Sequence, residues 1–445
     1  MICKHPVWEE YYKHPTKNVM LKRKEYPKAK GRIKTEIAII GGGITGLSNA
    51  YFLSKAGHTV TLLESHKLAS GSTGASAGIF DLGHETEIVK VSGQPESEKG
   101  HQVRRLWELS LYSIKLLEEL IQNECIDCDY QKIGSINLAA KKSHVRMLEQ
   151  ENLARKKMGF FSEFLDEGML REEIGTTNYH AGLFSPYNRA VNPLKLIDGM
   201  AAACVKGKVD IFEHSAVKQI YSVENKVFLA TEYANIEAEK VIVATDSFTY
   251  DLGLRHDIIP MTSFAAATEP LSANLMDIVF KRRKLLLWDS FDFYDYFRPT
   301  ADNRLVIGTS EISVESPVRH HEHFMHDQPL IDIRATINRV FPELKNIRLT
   351  NYWRATFGYT RNMLPIMGPD RQQPNIIYSV AYSGHGLNFG LLSGKIISDY
   401  LEHGDAGIFE VFGEHGQGSR SFMPIKIRHK MMNSYLQFRK FLERI

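Results

Sequence analysis

The stretch Thr35-Glu-Ile-Ala-Ile-Ile40, followed directly by Gly41-Gly-Gly-Ile-Thr-Gly46, decides the fold of this chain. The apolar run predicts a buried strand. The first, third and sixth residues of the glycine run match the G-x-G-x-x-G turn that lets backbone approach a pyrophosphate at a helix start. A helix over residues 44 to 56, a terminating Gly57 and a strand over residues 58 to 64 follow. Together they predict a βαβ unit that binds a dinucleotide.

Two further features narrow the choice of nucleotide. Glu64 ends the second strand at the spacing where a carboxylate accepts hydrogen bonds from an adenosine ribose, which disfavours NADP but leaves NAD and FAD open. The small-residue loop Ser70 to Gly78 then favours FAD, because an extended flavin nucleotide must continue past the pyrophosphate. The predicted FAD contacts at this end are Gly41, Gly43, Ile44, Thr45, Gly46, Glu64, Ser65, Ser72, Thr73, Ala77 and Gly78.

Length and composition describe an ordinary globular protein. The 445 residues are 43% hydrophobic and carry a formal net charge of +3, which gives no electrostatic footprint for nucleic acid. No apolar run reaches the ~18 residues of a membrane span, and the first residues lack the apolar core of a signal peptide. The four cysteines include one C-x-x-C pair, Cys125 and Cys128, without the second pair that zinc spacing needs. We therefore expect a cytoplasmic protein without a metal site.

The order of the predicted elements indicates a mixed α/β protein. We expect a Rossmann-like FAD-binding domain and a discontinuous second domain built on an antiparallel sheet. The predicted divisions are a leader (1–33), the FAD-binding domain (34–110, 185–260 and 345–405), the substrate domain (111–184 and 261–344) and a basic tail helix (406–445). The tail carries an apolar stripe that would dock on the body of the protein, and the alternative is a partner or membrane surface.

Four separated segments resemble the flavoprotein superfamily of D-amino-acid oxidase, glycine oxidase and sarcosine oxidase. They are the nucleotide motif with its loop, residues 185–193 with the strand at Val217, residues 241–248, and residues 353–395. The last segment contains Tyr382-Ser-Gly-His-Gly-Leu-Asn-Phe-Gly390, where the family places backbone N–H groups and a helix start against the flavin pyrimidine oxygens. The resemblance adds Val217, Gly384, Gly386, Leu387 and Asn388 to the cofactor contacts. The segments most similar to gamma-glutamylputrescine oxidase and its relatives are Tyr296-Phe-Arg298, Asn303-Arg-Leu-Val-Ile-Gly308 and Tyr382-Ser-Gly-His-Gly386.

The resemblance also implies a reaction. Hydride transfer from an amine or amino acid to flavin N5 would give an imine, which water hydrolyses to an aldehyde or keto acid, and oxygen or another acceptor would reoxidise FAD. The candidate substrate-site residues are Arg298 as a carboxylate clamp, Tyr296 and Phe357 as pocket walls, and His385 at the flavin edge. The alternatives for these residues are a surface ion pair, two core aromatics and a histidine satisfied by backbone.

Four positions depart from the family pattern. Ala355 stands where sarcosine oxidases attach flavin through cysteine, so we expect non-covalent FAD. Phe357 stands where glycine oxidases bind substrate through arginine, and Val306 stands where sarcosine oxidases carry an oxygen-activating lysine. Asp246 occupies a position where glycine is usual.

Three other functions compete with amine oxidation. One is a non-catalytic or regulatory flavin-binding subunit of a larger dehydrogenase complex, docked through the basic tail. Another is an RNA-modifying flavoenzyme, which the near-neutral net charge disfavours. The third is an NAD-dependent dehydrogenase, which flavin absorbance in the purified protein would exclude.

Overall fold

A computed structural model describes residues 2–13, 23–83, 88–91, 93–254, 257–291, 294–314, 327–412, 432–436 and 438. Its strands are β1 (Gly31–Ile40), β2 (Val60–Leu63), β3 (Ile79–Phe80), β4 (Gln131–Lys132), β5 (Ser135–Leu138), β6 (Glu163–Leu165), β7 (Gly182–Ser185), β8 (Arg189–Ala190), β9 (Asp210–Phe212), β10 (Gln219–Val223), β11 (Lys226–Ala230), β12 (Ala234–Val243), β13 (Ile259–Thr268), β14 (Leu286–Asp289), β15 (Tyr296–Pro299), β16 (Leu305–Val314), β17 (Leu349–Tyr359), β18 (Ile366–Pro369) and β19 (Ile376–Val380). Its α-helices are α1 (Glu10–Lys13), α2 (Ile44–Lys55), α3 (Ser72–Ala75), α4 (Ile88–Val91), α5 (Glu98–Asn123), α6 (Lys142–Lys157), α7 (Glu167–Glu173), α8 (Pro193–Lys206), α9 (Ala273–Val279), α10 (Gln328–Val340) and α11 (Gly386–His403).

The first sheet is the nucleotide-binding sheet. Its main path runs β10-β11-β12-β1-β2-β9, and β19 joins it beside β12. Strand β1 is parallel to both β2 and β12, and β12 is parallel to β19. The predicted βαβ unit is confirmed, because β1, α2 and β2 follow in order and the two strands pair in parallel.

The second sheet is mostly antiparallel and runs β17-β13-β16-β15-β14-β5-β7-β6. Side chains alternate between its two faces. Ala265, Val306 and Trp353 lie on the face that packs with the helices of the first sheet. Phe264 and Tyr352 belong to a separate core that includes residues of α10. The second sheet therefore presents one face to the cofactor motif.

The predicted fold class is confirmed, since the chain combines a parallel nucleotide-binding sheet with a second antiparallel sheet. The division into domains stays a prediction. Two expected boundaries do not coincide with element ends: α5 continues through residue 110, and β17, which follows residue 345, lies in the second sheet. Among the described residues, none of the helices has the length and apolarity needed to span a membrane.

Both ends of the chain contact this body. Near the start, the backbone N–H of Cys3 donates to Thr350 and that of Tyr352 donates to Cys3, so the leader pairs with β17. Near the end, Leu436 packs with Met261 and Val314. Within the predicted basic tail helix (406–445), Gly407–Phe412 is a 3₁₀ helix and residues 432–436 are helical, whereas Lys426, Arg428, Lys430, Arg439, Lys440 and Arg444 lie outside the described residues.

Candidate active site

The glycine turn between β1 and α2 leaves no room for side chains at its critical positions. Gly41 has a φ of +113°, a backbone conformation that side chains rarely adopt. A Cβ on Gly46 would overlap the carbonyl oxygen of Gly41, and a Cβ on Gly43 would lie 2.9 Å from Thr73 Oγ1. The turn is therefore a backbone cradle that only these glycines permit.

This cradle fits the pyrophosphate of a dinucleotide. Gly43 precedes α2 and supplies no side-chain cap, so the positive end of the helix faces the turn. The hydroxyl of Thr73, in the predicted FAD loop, accepts a hydrogen bond from the N–H of Ile44 at 3.2 Å. The two predicted FAD-binding segments thus meet at the start of α2. Ser72 begins the short helix α3, and Ala77 and Gly78 follow it.

Glu64 lies beside the glycine turn at the carboxyl end of β2. Its carboxylate accepts from the N–H of Gly42 at 2.6 Å and from that of His66 at 2.8 Å, and the Ser65 hydroxyl donates to it at 3.0 Å. The N–H of Ser215 donates to the Glu64 carbonyl, so the segment leading to the buried Val217 runs alongside. The structure therefore brings the predicted adenosine-side residues together.

The second glycine run lies against the first. Helix α11 packs on α2, because a Cβ on Gly390 would lie 2.7 Å from Thr45 Oγ1 and a Cβ on Gly394 would overlap Ser48. The Thr45 hydroxyl donates to the Tyr382 hydroxyl at 3.1 Å. Two segments more than 300 residues apart in the chain are thus joined by the packing of α11 on α2.

The turn before α11 carries the predicted flavin-edge residues. Gly384 has a φ of +100°, His385 precedes the helix without capping it by a side chain, and Gly386 and Leu387 begin it. His385 Nδ1 lies 2.9 Å from the carboxylate of Asp81. The Asn388 amide donates to the Asp81 carbonyl at 2.6 Å, while its buried Oδ1 has no partner among the described residues. Asp81 thus organises this turn, and the sequence interpretation did not identify it.

The predicted substrate residues Tyr296 and Arg298 lie on β15, on the sheet face that points to the cofactor motif. Tyr296 is half-buried and lies over Gly308, where a Cβ would overlap its ring. Burial raises the pKa of Tyr296 to about 12. Arg298 pairs in register with Val306, the position where the family resemblance expects lysine. The structure therefore places the only basic side chain of this strand pair on β15 rather than β16.

Arg298 is buried without a carboxylate partner among the described residues. It is 1% exposed, its Nη2 donates to the Val191 carbonyl at 2.8 Å, and its Nε and Nη1 have no hydrogen-bond partner in the described part of the chain. Burial lowers the pKa of Arg298 to about 9. A surface ion pair, the alternative role, does not fit this environment. Nε and Nη1 are therefore buried donors that no described protein group satisfies.

Phe357 lies apart from this pair. Phe357 follows Trp353 by four residues in β17 and lies on the same face of the strand. There Phe357 packs with Met261, Val314 and Leu436. Ala355 lies between Trp353 and Phe357. The structure therefore brings Phe357 to the C-terminal segment, and its role as a pocket wall stays a prediction.

Asp246, noted above as a departure from the family pattern, joins three segments of the site. Its φ is +47°, and its carboxylate accepts from the N–H of Gly358 at 3.1 Å, from that of Ala381 at 3.0 Å and from the Ser72 hydroxyl at 3.4 Å. Burial raises the pKa of this carboxyl. It connects the FAD loop, the end of β17 and the turn before α11, and the unusual residue type was its only signal in the sequence.

A nucleotide cradle with a helix start on each side and a second sheet facing it defines a flavin-dependent oxidoreductase. The chain belongs to the FAD dependent oxidoreductase family, whose pattern matches residues 36–400. The expected superfamily and enzyme class are confirmed.

Individual relatives agree with this assignment. The chain is 31% identical to "Probable oxidoreductase OrdL" of Haemophilus influenzae over 82% of each chain. It is 28% identical to the gamma-glutamylputrescine oxidoreductase of Escherichia coli over 85% of this chain and 86% of that protein. The structure of glycine oxidase from Geobacillus kaustophilus has the same fold, with a TM-score of 0.72 at 19% identity over 83% of this chain and 95% of that one.

Proposed function

We propose that this protein binds FAD non-covalently and oxidises the C–N bond of a small amine that carries a carboxylate. The observation that carries the proposal is the buried guanidinium of Arg298, on the sheet face toward the cofactor motif, whose Nε and Nη1 have no partner among the residues that the structure describes. A guanidinium donates charge-assisted hydrogen bonds to a carboxylate in directions that its planar shape fixes. Gamma-glutamyl amines, such as the gamma-glutamylputrescine in the name of one relative, carry a carboxylate.

The cofactor residues divide the work of holding FAD. The turn at residues 41–46 would hold the pyrophosphate, Glu64 the ribose, and the start of α11 the pyrimidine edge. Bound FAD would supply the two-electron oxidation. Ala355 offers no thiol on the facing strand, which supports non-covalent attachment.

The substrate residues would orient the amine. Arg298 would anchor its carboxylate, and Tyr296 would form a neutral wall, because its phenol is protonated at neutral pH and burial raises its pKa further, to about 12. Asp81 would fix the His385 imidazole near the flavin edge through Nδ1. Val306 provides no cation for oxygen, so we expect slow reoxidation by air and faster reoxidation by an artificial acceptor.

Anaerobic mixing tests this function. The purified yellow protein would be mixed with polyamines, gamma-glutamyl amines, N-methyl amino acids and D-amino acids while flavin absorbance is followed. The matched pair is a gamma-glutamyl amine and its parent amine: we expect rapid loss of absorbance only with the first. If no amine reduces the flavin, the function is wrong. If both members react equally, the carboxylate anchor is wrong.

A further inference from the structure

The N-terminal leader lies directly on the candidate active site. Val7 and Trp8 are 5% and 4% exposed, although they precede the first strand by more than 20 residues. The leader is held in place by its pairing with β17 and by the Asn351 amide, which donates to the His5 carbonyl at 3.3 Å. Trp8 is therefore a fixed part of the interior.

Trp8 contacts the predicted FAD loop through its indole N–H. This group donates to the Ser76 carbonyl at 3.0 Å. The indole N–H of Trp353 donates to the preceding carbonyl, that of Ala75, at 2.9 Å. Two tryptophans that are far apart in the sequence thus donate to consecutive carbonyls of one loop. The same loop supplies Thr73, which bonds the first turn of α2.

The ring of Trp8 also contacts the candidate anion site. The guanidinium carbon of Arg298 lies 4.6 Å from the ring centroid. A tryptophan face attracts a cation without occupying its N–H groups, unlike a carboxylate. The stacking therefore stabilises a buried guanidinium while leaving Nε and Nη1 available for a ligand.

We propose that Trp8 is a positioning residue that couples the two halves of the site, its N–H fixing the FAD loop and its ring fixing Arg298. The leader is accordingly a component of the active site rather than an extension of the fold. The Arg298 part of this inference rests on the proposed function, and the FAD-loop part rests only on cofactor binding.

Two substitutions in the full-length holoprotein separate the two contacts. Trp8→Phe keeps an aromatic face and removes the N–H, so we expect FAD to bind about 10-fold more weakly, the effect of losing one buried hydrogen bond. Trp8→Leu removes both contacts, so we expect a similar loss of FAD affinity and a further loss of about 10-fold in affinity for a carboxylate probe. The probe is benzoate, titrated in excess FAD and followed by the flavin absorbance.

Trp107→Phe is the matched control. Trp107 is 3% exposed, and its indole N–H has no hydrogen-bond partner among the described residues. This variant should therefore keep wild-type affinities for FAD and benzoate. Thermal unfolding of each variant reports any general loss of folding, and Trp8→Phe remains informative if Trp8→Leu does not fold.

The results distinguish this inference from the proposed function. Wild-type affinity for FAD in Trp8→Phe would overturn the loop contact, and equal benzoate affinity in Trp8→Leu and Trp8→Phe would overturn the Arg298 contact. Neither titration requires turnover. A protein that binds FAD but is reduced by no amine would therefore contradict the function and leave the FAD-loop part of this inference standing.

Discussion

At the glycine turn backbone atoms form the binding surface, whereas around Arg298 side chains do. Gly41, Gly43 and Gly46 contribute a shape and a helix start, and a side chain there would collide with the Ala244 carbonyl, with Thr73 or with the turn itself. Arg298 instead depends on Val191 and Trp8, which come from distant parts of the chain. The difference teaches that the glycine turn is specified locally and the surroundings of Arg298 by tertiary contacts.

Gly46→Val would break the cofactor half most severely. Its side chain would overlap the Gly41 carbonyl, so we expect a loss of ~4 kcal/mol or more in the free energy of unfolding and a colourless protein. Thermal unfolding and flavin absorbance measure the two effects. Gly93→Ala is the control, because a Cβ there meets nothing within 4 Å. A yellow Gly46→Val protein of normal stability would contradict the turn geometry.

Arg298→Met would break the substrate half without breaking the fold. An apolar side chain of similar length removes a buried cation that has no carboxylate partner among the described residues, so unfolding stability should stay equal or rise. Benzoate affinity should fall about 100-fold, since two charge-assisted hydrogen bonds are lost. Arg298→Lys keeps the charge without the planar fork and should lie between. Undiminished benzoate binding in Arg298→Met would show that the anion binds elsewhere.

The same contrast explains what the sequence could predict. The glycine turn, Glu64 and the βαβ unit were predictable because their residues are near in sequence and follow the period of strand and helix. The second glycine run was predictable only through family resemblance. Trp8, Asp81 and Trp353 were not predictable, because local periodicity does not indicate which distant segment a side chain will meet. The sequence marked Asp246 as a departure from the family pattern, but only the structure identifies its three hydrogen-bond partners.

A buried carboxyl in the second sheet allows the stability of that sheet to be tested separately from the glycine turn. Asp289 is 3% exposed, and burial together with Asp295 raises its pKa to about 7, with Arg339 acting in the opposite direction. The pKa of Asp289 is higher in the folded protein than in the unfolded chain, where it is near 4. The protonated carboxyl therefore contributes its full stability below pH 4, and that contribution is lost as the pH rises through about 7. Asp289→Asn should therefore add on the order of 4 kcal/mol at pH 8 and little at pH 4.

Chemical denaturation at these two pH values measures the effect. Thr336 provides the control, because its hydroxyl bonds Asp295 rather than Asp289. Thr336→Val should lower stability without removing the pH dependence. If Asp289→Asn stabilises equally at both pH values, the carboxyl does not titrate in this range.

Glu64→Gln should give the smallest effect and the sharpest separation of binding from folding. The Gly42 and His66 backbone N–H groups both donate to the carboxylate of Glu64. The glutamine amide retains one acceptor oxygen, but its NH₂ group would face one of these two N–H groups. We expect FAD affinity to fall about 10-fold. Glu36, in the middle of β1, accepts the N–H of Thr59 at 2.6 Å just before β2 begins, so Glu36→Gln removes a matched bond away from the glycine turn. Fluorescence titration of FAD should show weaker binding in Glu64→Gln and unchanged binding in Glu36→Gln. Equal affinities would mean that Glu64 holds the turn but does not contact the nucleotide.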